Sequence, residues 1–125
     1  MSTHIDDFAS AAVVAAGLEP GAITTSVNGP AIDLVSGDGS CFAVQQVGAV
    51  SEDTTLTGHI EESPTGTSSW TPVSGAAFAV VDSASDIQVI RFTRTERYVR
   101  WVGVLTGATP SVAVAVLIGE QKKTI

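Results

Sequence analysis

The chain has 125 residues, 44% hydrophobic and only 15% charged, with a formal net charge of -7. That is apolar material for one folded domain with its own core, which excludes a disordered chain, and the acidic balance argues against nucleic acid or anionic membrane as partner, since both select clustered Lys and Arg. Cys41 is the only cysteine, so a secreted disulfide scaffold is excluded.

Residues 1 to 18, MSTHIDDFASAAVVAAGL, read as an N-terminal arm or short helix, with Asp6 or Asp7 able to cap it and Ala-rich sequence following up to Gly17. A helix of that length is marginal in water without something to pack on. Ile5, Phe8 and Val13 must therefore find the domain's own surface or another molecule, and Ile5 and Phe8 are candidate docking residues. The segment lacks the basic start and long apolar stretch of a signal peptide, and no apolar run approaches the roughly 20 residues that span a bilayer. Synthesis in the cytoplasm is the expectation.

Residues 19 to 125 form the second unit, a β domain. Its apolar residues are largely Val and Ala, and from residue 22 they alternate in short segments, the period of strands with one buried face. Strands are expected near Ile23 to Val27, Ala31 to Val35, Cys41 to Val50, Thr54 to Ser63, Ala76 to Val81, Ile87 to Thr93, Arg97 to Leu105 and Ser111 to Ile118. Asn28-Gly29-Pro30, Ser36-Gly37-Asp38-Gly39, Pro64-Thr65-Gly66 and Gly107-Ala108-Thr109-Pro110 punctuate them. The spacing predicts an all-β fold, an antiparallel β-sandwich or jelly roll of about eight strands.

YVRWVGVL and SVAVAVLI, joined by a short turn, read as a hairpin of two long core strands. In SVAVAVLI both faces are apolar, which implies cover on both sides: the opposite sheet on one, and on the other a neighbouring subunit, a loop or the N-terminal segment. Within the earlier strand, Tyr98 is a candidate corner residue bonding through its hydroxyl, Trp101 a candidate core residue, and Arg100 faces outward to pair with an acid.

Charge is unevenly placed: residues 1 to 90 hold eleven acids and no Lys or Arg, and the remainder six bases and two acids. Either the late arginines pair with earlier acids inside the fold, or they steer docking, which makes Arg94 and Arg97 candidate docking residues in a salt-sensitive contact. Candidates for chemistry are sparse. His59 has no companion at metal-ligand spacing, and Glu61 and Glu62, being adjacent on a strand, point to opposite faces. Neither a G-x-S-x-G elbow nor a phosphate-binding glycine loop is present. No catalytic residue, metal or cofactor is expected, and the chain reads as a binding or building protein rather than an enzyme.

The run from Ile60 to Phe78, IEESPTGTSSWTPVSGAAF, followed by Phe92 to Arg100, FTRTERYVR, resembles small structural proteins of tailed-bacteriophage virions. The likeness covers roughly residues 23 to 119. It implies a β-sandwich with no cofactor that binds and reinforces the major capsid protein lattice as a head decoration or cement subunit. The expected location is the virion, after synthesis in the host bacterial cytoplasm. Self-assembly on the capsid, for instance as a trimer, is open, and neither nucleic acid nor membrane is a partner. "WTPV" and "RYVR" are also similar to pieces of discoidin-type carbohydrate-binding jelly rolls, so a carbohydrate- or receptor-binding module of a tail or spike is the alternative.

Overall fold

A computed structural model describes residues 11 to 122. Among the described residues nine strands succeed one another: β1 (Ala12–Ile23), β2 (Val27–Asn28), β3 (Ile32–Asp33), β4 (Gly37–Val50), β5 (Thr55–Ser63), β6 (Thr71–Ala77), β7 (Asp86–Thr93), β8 (Tyr98–Thr106) and β9 (Val112–Lys122). They form two antiparallel sheets, one of four strands in the order β1-β9-β4-β7, the other in the order β2-β8-β5-β6 with β3 also beside β8.

β2 and β3 behave as one strand broken at Gly29-Pro30, because both pair with β8, Val27 opposite Gly103 and Ile32 opposite Val99. Pro30 has no N–H for the ladder, while Gly29 still donates its N–H to the Trp101 carbonyl at 2.7 Å. Counted that way there are eight strands: the first pairs with the last, the second with the seventh, the third with the sixth and the fourth with the fifth.

Three expectations need correction. Residues 12 to 18 are not helical but belong to β1, whose Ala12 lies opposite Gln121 and Ala15 opposite Ile118. The edge of β9 supplies ladder partners that a short isolated helix would forgo. The proposed boundary at residue 18 therefore falls inside a strand, while Ile5 and Phe8 lie outside the described residues. The expected hairpin of YVRWVGVL with SVAVAVLI does not form, because β8 and β9 are in different sheets. Each is already flanked on both sides, β8 by β5 and the β2/β3 strand, β9 by β1 and β4. Residues 107 to 111 thus cross between sheets. Finally, the strand expected at Ala76 to Val81 lies earlier, at Thr71–Ala77. Pro72 is tolerated because β6 ends its sheet.

The inward sides of both sheets enclose one core. Leu34, Leu56, Ile60, Val99 and Trp101 meet Ala43, Val47, Val112, Val116 and Ile118. Trp101 is fully buried, and its Nε1 donates to Gln45 Oε1 at 3.0 Å, a bond from one sheet to the other. Two glycines make room for the indole: a Cβ on Gly103 would stand 2.2 Å from Cη2 of Trp101, and one on Gly58 2.6 Å from its Nε1. Among the described residues no helix is long and apolar enough to cross a membrane.

Candidate functional site

The two sheets turn unlike faces outward. On the five-stranded sheet, β5 and β8 run antiparallel with Glu61 opposite Arg100. Arg100 donates to Glu61 Oε1 from Nη2 at 2.7 Å and from Nε at 3.0 Å. His59 Nε2 stands 3.2 Å from Glu61 Oε2, and the Arg100 guanidinium lies 4.4 Å from the centre of the Trp70 ring. Burial pushes the Glu61 carboxyl up, but the bonds from Arg100 and His59 outweigh it and hold the group below its ordinary value. Further along, Arg97 grips both carboxylate oxygens of Asp33 at 2.8 and 2.6 Å, which depresses the Asp33 carboxyl and raises the guanidinium. These charges are answered locally, as the internal-pairing reading of the late arginines anticipates.

Arg94 was a candidate for docking, yet its side chain is only 12% exposed and turns inward to Glu120, which is fully buried. The same guanidinium donates to the carbonyls of Leu34 and Glu96. Glu120 also accepts from the Gly39 N–H at 2.9 Å and from the Cys41 thiol at 3.5 Å. A Cβ on Gly37 would fall 1.6 Å from Oε1 of Glu120. The group is a pin between the start of β4, the end of β9 and the loop after β7, and a buried charge pair of this kind is structural. Burial first, and then the Glu120 carboxylate, push the Cys41 thiol up to about 12, so it stays protonated and unreactive.

Glu61 and Glu62 point to opposite faces as their spacing requires. Glu62 turns in and accepts from the backbone N–H groups of Thr95 at 2.8 Å and Glu96 at 3.1 Å, fastening the RTER loop. Among the described residues the Tyr98 hydroxyl has no hydrogen bond, and its ring is what makes contacts. Gly66 packs against it, and Arg97 lies 5.2 Å from its centre. Among the described residues no three of His, Cys, Asp or Glu come together as metal ligands.

The outer face of the four-stranded sheet is different. Its cross-strand rows read Arg91, Phe42, Gly119, Val14, then Val89, Val44, Leu117, Ala16, then Ile87, Gln46, Ala115. Ile87 and Val89 are each 64% exposed and Leu117 47%. No carboxylate stands at the outward positions of β7, of β9, or of β4 between Phe42 and Gly48. Monomeric proteins rarely leave so continuous an apolar surface in water. Its free edge is partly closed, because the Gln88 side chain bonds the Ala79 N–H at 2.8 Å and its carbonyl at 3.1 Å, imitating a further strand.

Ile87, Val89 and Leu117 were not among the candidate residues. The signal was present in the two apolar sides of SVAVAVLI; what could not be read was that β7 lies in the same sheet. No protein-family model matches the chain, and no curated protein matches it.

Proposed function

We propose that the protein is a structural subunit of a tailed-bacteriophage virion, a head decoration or cement protein that reinforces the major capsid protein lattice by protein contact. The observation that carries this reading is the apolar outer face of the four-stranded sheet, with no carboxylate at the outward positions of β7, of β9 or of β4 between Phe42 and Gly48, on a chain of net charge -7. A surface of that chemistry is finished only when another protein covers it. The strand pairing gives further support. First-with-last through fourth-with-fifth supports reading the two sheets as a jelly roll, a fold common among viral capsid proteins but also among lectins. Fold alone therefore does not choose a function.

The segments of the virion resemblance serve the interior and the opposite face. "WTPV" enters the edge strand β6, and "RTERYVR" supplies Arg94 to the pin, Arg97 to Asp33 and Arg100 to Glu61. Sugar binding is less well supported, because Arg100 covers one face of Trp70, a partly exposed aromatic.

The test is co-sedimentation of the full chain with empty heads of the phage that carries it, with heat and osmotic-shock resistance of particles made without it. Binding and a loss of resistance are expected. Failure to bind heads, joined to specific glycan binding that Trp70→Ala abolishes, would replace the reading with that of a tail or spike receptor module.

A further inference from the structure

The outer face of the four-stranded sheet has a relief as well as a chemistry. On its β7 side Ile87 and Val89 stand up from the sheet. In the same cross-strand rows, toward β9 and β1, the outward residues are Ala115 in one row and, beyond the exposed Leu117, Ala16 in the other. A shallow hollow lies there, floored by Ala115 and bordered by Ala16, Pro20, Val44 and Leu117.

We propose that this face is the contact between two copies of the chain, packed sheet to sheet about a two-fold axis parallel to the strands. A rotation about that axis brings the raised β7 side of one copy over the low β9 and β1 side of the other, at the same height along the strands. Ile87 and Val89 then enter the hollow of the second copy, which returns the same two side chains. A two-fold interface requires this self-complementarity, one patch serving as both knob and socket.

Size points to the same occupant. Two chains of net charge -7 repel; the outward positions of β7, of β9 and of β4 between Phe42 and Gly48 hold no carboxylate, while the exposed Glu19 lies in the β1 bulge beside Ala115. Arg91, at the end of the face, does not obstruct the packing: the axis places the two copies of it about three strand spacings apart, roughly 14 Å. Four strands and about ten residues along each cover about 19 Å by about 34 Å, on the order of 650 Å² in plan. The standard stable interface takes about 800 Å² of accessible surface per partner, so one sheet face is of the right size for one partner copy.

Both this inference and the cement reading draw on the same face: the second copy covers it, docking on the capsid lattice then falls to other surfaces of the pair, and the two readings can fail separately. Sedimentation equilibrium of the full chain is the experiment. At about 100 µM, where a micromolar dissociation constant leaves mostly dimer, the expected mass is twice the chain's 12.8 kDa. Val89→Asp on the raised side and Ala115→Asp in the hollow are each expected to weaken the association at least tenfold, with unchanged thermal unfolding of the dilute protein. Thr57→Asp, on the outer face of the other sheet, is expected to leave it intact. A monomer at that concentration, a trimer, or equal weakening by Thr57→Asp overturns the proposal. A dimer that ignores phage heads would remove the cement reading and leave this one; a monomer that binds heads would do the reverse.

Discussion

The outer faces of the two sheets are built from the same alternation of residues and finished in opposite ways. On the five-stranded sheet Arg100, Glu61, His59 and Trp70 satisfy one another, and Arg97 holds Asp33. On the four-stranded sheet Val14, Leu117, Ile87 and Val89 have only apolar surface to offer. The difference teaches that exposure alone does not define a binding face. A charged face can be complete in itself, whereas an apolar one is completed by a neighbour.

The strongest way to break this comparison is to loosen the fold that carries both faces. Glu120→Gln keeps the shape of the pin but leaves the buried Arg94 guanidinium without a counter-charge, and a loss of about 3–5 kcal/mol is expected in urea unfolding. Gly103→Ala drives a methyl group into the Trp101 ring between the sheets. The expected cost of that overpacking is about 1–3 kcal/mol by the same assay.

Changes on the faces themselves should separate stability from association. Arg100→Met removes a half-buried ion pair and the stack on Trp70. About 1–2 kcal/mol of stability should disappear, while self-association stays as it was. Acid should act on the same face. Glu61 and Asp33 are held below their ordinary values when folded, so the unfolded chain binds more protons across that window. Their contribution is complete above the ordinary carboxylate range near about 4 and is lost as pH falls through the depressed folded values. Stability followed by thermal unfolding from neutral pH downward should decline there.

Salt gives the smallest expected effect. The reading of Arg94 and Arg97 as docking residues predicts association that weakens with salt, but both guanidinium groups are engaged within the chain. Raising salt from about 0.1 M to about 1 M shortens the screening length from about 10 Å to about 3 Å. An apolar contact between two acidic chains should hold or tighten slightly in sedimentation equilibrium over that range, and marked dissociation would contradict it.

Much of this architecture was legible in the residues. Alternation located most strands and sent Trp101 inward, Arg100 outward to an acid, and Glu61 and Glu62 to opposite sides. What escaped was non-local. Sequence proximity suggests that YVRWVGVL and SVAVAVLI pair, but which strands flank them is decided by residues 12 to 63. The same holds for the apolar face, whose rows join Ala16, Leu117, Val44 and Val89 from four distant segments. Arg94 was misplaced because its partner, Glu120, lies 26 residues further on and is wholly buried.

The most direct test compares the two faces by thiol labelling. Cys41 can stay in place, since it is buried and its thiol is pushed up to about 12. Leu117→Cys places a reactive thiol on the apolar face and Thr57→Cys one on the polar face. A maleimide should react with Leu117→Cys progressively more slowly as protein concentration rises, and with Thr57→Cys at a constant rate. Equal, concentration-independent labelling at both positions would mean that nothing covers the four-stranded sheet.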